Sequence, residues 1–289
     1  MSQLQTVLLF GGTSQIAARV IDSLVARNVA VMVLTGRPWA LPEPPPTYQP
    51  PPGQIGLEHA LVELTTYDGT HTPHWLRRYD AIISVAPLKY VARVLQYLPE
   101  PDGTRAVFLS SNNAALLGES DDYAATRDAE DCVMSGPLDS VILQPTAICG
   151  HPGDAVLGEL NRRITAGETA WLPGAGTRQK PVHFADVADA LLHAVSDGIA
   201  PGRYSVSGPQ EASYAEMVEL LETANWSPAR ARALPAAPVR ALGRMRRDVQ
   251  SAQLRRAGID RLPVNPPLPG FAPRRGLADM VASLSAHLE

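Results

Sequence analysis

No long apolar run of the kind that spans a bilayer occurs in this chain of 289 residues. Charge of one sign is also missing: the formal net charge is −4, so nothing global draws the chain to nucleic acid or to an anionic membrane. Cysteine is scarce, and Cys132 and Cys149 have no metal-like spacing. No G-x-S-x-G motif is present, which argues against a serine hydrolase, and no Walker phosphate loop is present either. His71 and His74 lack a carboxylate or thiol at ligand spacing and read as solvated or capping residues, so no metal site is expected. The start, "MSQLQTVLLFGG", lacks the charged region and cleavage site of a signal peptide. Together with two thiols expected to be reduced, this points to a cytoplasmic protein.

The residues that are present suit an ordinary globular chain, with 45% hydrophobic and 19% charged residues. "TVLLF" (6–10) reads as a buried parallel strand ending in Gly11-Gly12. "SQIAARVIDSLVAR" places Ile16, Val20, Ile21 and Leu24 at helical spacing, and "VAVMVL" (29–34) is a second strand. Prolines crowd residues 38–52 and exclude helix or central strand there. The expectation is an extended surface loop, either passive or a lid.

Alternation then resumes. "HALVEL" (59–64), "DAIISVA" (80–86), "RAVFLSS" (105–111) and "DSVILQP" (139–145) read as strands. "HTPHWLRRY" (71–79), "KYVARVLQYL" (89–98) and "YAATRDAEDCVMS" (123–135) read as helices. Such alternation predicts an α/β fold, a doubly wound parallel Rossmann-type sheet. The first domain is expected over 1–150, with 181–205 returning to it. A smaller, mostly helical C-terminal domain over 151–289 would bind substrate. "PVHFADVADALLHAV" (181–195) reads as a helix with Asp186 as N-cap and Asp189 completing a box-like start. The Arg-rich stretch from Ser213 onward reads as mostly helical. Its arginines are either a solvated face or an anion site centred on Arg244, Arg246 and Arg247.

The turn "FGGTSQIA" has what a dinucleotide site needs: a tight turn after the first strand and a helix N-terminus aimed at an anion. Gly11 supplies the turn, and Ala17 can sit where helix meets sheet. Gly12, Thr13, Ser14, Gln15 and Ile16 complete the cradle. Ser14 stands where glycine is usual; its Cβ would crowd the backbone approach, while its hydroxyl is available to a phosphate. After the second strand comes "VLTGRP", which carries no carboxylate for a ribose hydroxyl. It carries Arg37, which suits a 2′-phosphate and favours NADP, with NAD as the alternative. A tight turn without ligand, and a solvated Arg37, remain the plainer readings.

In this order, "GGTSQIA", "DAIISVAP", "VFLSSNNAALLG", "YAATRDAE", "LQPTAICG", "KPVHFADVADALLHAV" and "FAPRRGLADMVASL" resemble the extended or atypical short-chain dehydrogenase/reductases of the NAD-dependent epimerase/dehydratase type. Together they span nearly the whole chain. The resemblance implies a nicotinamide cofactor and hydride transfer at a carbinol or carbonyl carbon of a small, sugar-nucleotide-like substrate. It makes Tyr123 the general acid/base, with Glu130 following on the same helix, and Ser111 the group that bonds the substrate oxygen. Asn112 or Asn113 is an alternative partner in the "SSNN" register. Ala86 and Pro87 would form the turn under the nicotinamide, Pro145 and Ile148 would lie near that ring, and Glu63 and Leu64 would contact the adenine. His183, at the entrance of a family helix, would be structural.

Three departures stand out. Ser14 replaces a glycine, Gln144 stands where Arg is common, and Arg127 takes the place of the family Lys. Tyr123 and Arg127 are one helical turn apart and share a face. Arg127 keeps a cation beside the phenol and can bond ribose oxygens, but it cannot release a proton. The competing expectation is therefore a cofactor-binding regulatory or redox-sensing protein with little turnover. A homodimer is an allowed assembly.

Overall fold

The computed structural model describes residues 4–35, 55–56, 78–95, 98, 103–116, 121–196, 198–225, 230–244 and 258–285. By contacts the chain forms two compact units. The first comprises 1–144, 188–204 and 268–271; the second comprises 145–187, 205–267 and 272–289.

The first unit is built on parallel strands. They are β1 (Thr6–Phe10), β2 (Ala30–Thr35), β3 (Ile55–Gly56), β4 (Ala81–Ser84), β5 (Arg105–Leu109) and β6 (Asp139–Pro145). Every pairing from β3 across to β6 is parallel. With β11 (Gly202–Val206) at the far edge, the order is β11-β6-β5-β4-β1-β2-β3. The chain winds outward one way from β1 to β3 and the other way from β4 to β6. The topological switch point therefore lies between β1 and β4, and in open sheets of this kind ligands bind there, at the carboxyl ends of the strands.

Near-continuous apolar runs make this sheet buried on both faces. Leu8, Phe10, Met32, Leu34, Ile82, Ala106, Phe108 and Ile142 belong to one core cluster. Residues from α2 (Leu88–Leu95) and α4 (Asp121–Ser135), including Val91, Leu95, Ala129 and Val133, complete it. The alternate residues Val7, Leu9, Val31, Val33, Val107 and Val141 point to the other face and are buried too. α1 (Gln15–Val25) packs on β2 and buries Ile16, Ala17, Val20, Ile21 and Leu24. A short helix that the sequence pattern does not signal, α3 (Asn112–Leu116), follows β5.

In the second unit, α5 (Leu157–Thr165), α7 (Tyr214–Asn225) and α9 (Leu277–Ser285) enclose a core of Leu157, Leu160, Ile164, Met217, Leu221, Met280 and Leu284. Short pairs flank it. β7 (Ile148–Cys149) pairs with β10 (Val182–His183), β8 (Thr169–Pro173) with β13 (Arg230–Leu234), and β9 (Arg178–Gln179) with β12 (Ala212–Ser213).

Two sequence expectations are corrected here. Residues 230–234 are not helical: they form a strand parallel to β8, which supplies their backbone partners until Pro235 ends it, and helix α8 (Ala236–Arg244) begins only afterward. Asp186 is not an N-cap. Helix α6 (Phe184–Ala194) begins before it, and the Nδ1 of His183 accepts from the Ala185 N–H at 3.1 Å in the capping role. The Asp186 carboxylate instead takes the backbone N–H and the guanidinium of Arg275. Asp189 does not close a box but pairs with Arg19 at 3.2 Å.

The expected strand 59–64 lies outside the described residues, as do the proline-rich loop and nearly all of the expected helix 71–79. Its described residues, Arg78 and Tyr79, are not helical. Among the described residues no helix is long and apolar enough to cross a membrane, and no cluster of three metal-ligating side chains occurs.

Phe108 is fully buried in the central strand β5. Phe108→Ala is expected to cost about 3–5 kcal/mol, read as a lower urea midpoint, and a loss below about 1 kcal/mol would contradict its central place. Asp80 holds the opposite end of the sheet, accepting from the N–H groups of Gln5 and Thr6 at 2.9 and 2.8 Å. Burial works to raise its pKa, but those N–H groups, the Thr6 hydroxyl and Arg78 outweigh it and hold the carboxyl below its ordinary value. A depressed carboxyl stabilises the fold above its ordinary titration and loses that contribution as pH falls below ~4. Asp80→Asn is therefore expected to flatten the acid limb of a stability-against-pH curve, and an unchanged limb would count against this bond.

Candidate active site

The first turn is shaped by glycine geometry. Gly11 has φ +90°, and a Cβ on it would meet the Ala86 backbone nitrogen at 2.8 Å. A Cβ on Gly12 would lie 2.6 Å from Val33 Cγ1. Backbone bonds pin this corner: Gly11 N–H donates to Leu34 O, and the Val85 and Ala86 N–H groups both donate to Phe10 O. The ends of β1, β2 and β4 thus converge at the switch point, with Ala86 buried and Pro87 exposed beside it.

Ser14 is the N-cap of α1. Its Oγ accepts from Ala17 N–H at 3.1 Å and its carbonyl accepts from Ala18 N–H. Thr13, Ser14 and Gln15 are exposed at this helix end. The N–H groups of Gln15 and Ile16 are thus left for a partner outside the helix, and the end of α1 has the geometry of an anion cradle. The Ser14 side chain turns toward the helix as its cap, and the hydroxyl proton stays available to an outside acceptor.

A second set of side chains sits at the carboxyl end of β5. Ser111 precedes α3, and its Oγ accepts from Asn113 N–H at 3.2 Å. The side chain that meets the Tyr123 hydroxyl is that of Asn113, whose Nδ2 lies 3.0 Å from it. Of the two asparagines left open in the "SSNN" register, the structure thus brings Asn113 to Tyr123, while Asn112 is buried. Tyr123 is half-buried, and Arg127, one turn on, is exposed with no hydrogen-bond or ion-pair partner among the described residues.

Glu130 lies below this pair and is only 2% exposed. The Ser110 hydroxyl donates to Oε1 in a very short bond, and Gln144 Nε2 donates to Oε1 and Oε2 at 3.0 and 2.9 Å. Arg203 Nε reaches Oε2 at 3.2 Å, and its Nη2 also bonds the exposed Asp131. Sequence reading missed Arg203 altogether. The only hint was the expected return of the chain to the first domain over 181–205.

Pro145 and Ile148 belong to the second unit, Pro145 buried at the end of β6 and Ile148 in β7. Arg37, Glu63, Leu64, His71, His74, Arg246 and Arg247 lie outside the described residues. His183 is buried, stacks on Phe184 at 4.6 Å and meets Ser283 Oγ at 2.9 Å through Nε2. Cys149 is fully buried, and burial first, then Asp154, pushes its thiol well up, away from reactivity.

No protein-family model and no curated protein sequence matches this chain. Solved structures do. MoeE5 in complex with UDP-glucose and NAD superposes with a TM-score of 0.65 at 15% identity, over 98% of this chain and 100% of that one. The UDP-glucose 4-epimerase of Thermotoga maritima with UDP-glucose gives 0.65 at 13%, over 99% and 100%. The human epimerase family protein SDR39U1 with NADPH gives 0.67 at 16%, over 98% and 99%. These likenesses show that the chain shares the fold of these proteins.

The corner at Gly11 leaves no room for a side chain. Gly11→Ala is expected to cost about 1–3 kcal/mol through the strained backbone alone, visible as a lower urea midpoint. A midpoint equal to that of the native protein would show that the corner relaxes freely.

Proposed function

We propose that this chain is an NAD(P)-dependent oxidoreductase or epimerase that moves a hydride at a carbinol or carbonyl carbon of a small, sugar-nucleotide-like substrate. The observation that carries the reading is the Tyr123–Asn113 pair on the same carboxyl sheet edge as the glycine corner. The proteins of like fold, crystallised with NAD, NADPH or UDP-sugars, support it.

The residues present fit a pyridine dinucleotide. A Cβ would fill the space at Gly11, the end of α1 offers N–H groups to a pyrophosphate, and Ala86 and Pro87 border the switch point. Gly11, Gly12, Thr13, Ser14, Gln15 and Ile16 would hold the phosphates. Arg37 would favour the 2′-phosphate of NADP, Glu63 and Leu64 would meet the adenine, and Pro145 and Ile148 the nicotinamide. When bound, the coenzyme supplies or accepts the hydride.

The chain's own part is proton handling and orientation. In this reading Tyr123 acts as the acid through its phenol O–H. Asn113 Nδ2 donates to the phenol oxygen, a bond that does not consume the Tyr123 O–H proton, which can then be given to a substrate oxygen. As that proton leaves, the same amide bond stabilises the charge that develops on the phenol oxygen. Arg127 would add a fixed positive charge one turn away but no proton relay. Ser111, whose hydroxyl accepts from Asn113 N–H, sets the backbone that carries the asparagine and keeps its own proton to donate to substrate. Two unpaired cysteines suit a reducing compartment, and we assign the protein to the cytoplasm.

The exposed Arg127 in place of Lys favours a second reading, a coenzyme-binding regulator with little turnover. NADPH fluorescence on titration, followed by a panel of carbonyl compounds and nucleotide sugars, separates the two. Binding with no turnover on any class would select the regulator. For the enzyme, Tyr123→Phe is expected to lower kcat by ~10²–10⁴-fold and Asn113→Ala by a smaller factor. An active protein indifferent to Tyr123→Phe has its chemistry elsewhere. Loss of the NADP preference on Arg37→Ala checks the role of that arginine.

A further inference from the structure

We propose that Glu130 and Arg203 are positioning residues that set Tyr123 against Asn113, a role that rests on reading Tyr123 as the acid/base. A continuous run of bonds joins them. Glu130 is on α4, the helix that carries Tyr123, and the two residues lie seven apart on one helical face. Its carboxylate accepts from the Ser110 hydroxyl, the residue just before Ser111. Ser111 in turn accepts from the N–H of Asn113, whose amide reaches the Tyr123 hydroxyl. One buried anion therefore grips both segments that present the pair, and the chain of bonds closes into a ring from helix to strand end and back.

The anion also holds the end of β6 through Gln144, which donates to both its oxygens. No charge is supplied by Gln144, so the neutralising cation comes from Arg203 on β11. Apolar residues of equal volume would pack the same elements together without fixing where one slides against the other. Directional bonds to one carboxylate from the residue just past β5, from β6 and from β11 remove that freedom. A displacement of about 1 Å at reacting groups costs on the order of 10²-fold in rate, so fixing this register is worth more to chemistry than to packing.

The test reads the Tyr123 ring itself. The tyrosines are replaced uniformly by 3-fluorotyrosine, and the Tyr123 fluorine resonance is assigned by Tyr123→Phe. Glu130→Gln and Arg203→Met are each expected to shift or broaden it. The resonance of Tyr79, buried in the core of the same unit, should stay in place. Arg203→Lys, which keeps the charge, is expected to return Tyr123 toward its native position, and Asp131→Asn, at the exposed partner of Arg203, should leave it unmoved. With a substrate from the panel, Glu130→Gln should lower kcat ~10–100-fold while the KM for NADPH stays within a factor of about two.

A Tyr123 resonance indifferent to both Glu130→Gln and Arg203→Met overturns the proposal. So does joint movement of Tyr79 and Tyr123, the mark of general loosening. Should Glu130→Gln fail to fold, Arg203→Met and Ser110→Ala break the same ring of bonds at other points and are read in the same way. A native protein that turns over nothing removes the enzymatic reading, while the fluorine spectrum still shows whether Glu130 and Arg203 hold the ring.

Discussion

A carboxylate removed from water must be met by charge and hydrogen bonds or it will not stay ionised. The Glu130 carboxylate is met by a serine just past β5, a glutamine of β6 and an arginine of β11. Ser110 follows β5, Gln144 is next to last in β6, and Arg203 is the second residue of β11. Hydrophobic burial holds the middle of the sheet without direction. At its edge, directional bonds to one buried anion decide how α4 lies against β5 and β6. The placement of Tyr123 follows from that.

The glycine corner imposes a second constraint, of space rather than charge. Gly11 is held at a positive φ against the Ala86 backbone, so β1 and β4 close on each other with nothing between them. The strand order reverses at the same place. The start of α1 is therefore exposed where the sheet diverges, and Ser14 caps it from within. Ser14, where glycine is usual, caps this helix end by accepting from Ala17 N–H.

One departure from the pattern that the sequence resembles is compensated locally. Gln144 stands where arginine is common and brings no charge, yet the carboxylate it serves still meets a cation, Arg203 of the neighbouring strand β11. Beside the phenol stands Asn113, one of the two asparagines left open in the "SSNN" register, and its amide donates to the Tyr123 oxygen. Arg127 is the departure with no local compensation among the described residues. It therefore bears most directly on whether the chain turns over substrate.

The apolar runs of β1, β2, β4, β5 and β6 and the helical spacing of Ile16, Val20, Ile21 and Leu24 are local patterns, and so is the glycine turn. The sequence by itself therefore determined the α/β class, the parallel sheet and the candidate phosphate cradle. It misread residues 230–234, because arginine and alanine suit a helix until β8 offers backbone partners. It also misread Asp186, because a first-turn acid looks like a cap until Arg275 claims it. Only the tertiary structure decided that Asn113 meets Tyr123 across 10 residues and that Arg203 meets Glu130 across 73. Arg203 carries no signature in its own neighbourhood, and the "SSNN" register offers Asn113 only as one of two asparagines. A buried charge takes whichever cation the folded strands bring to it, and the order of strands in a sheet is not written in any one of them.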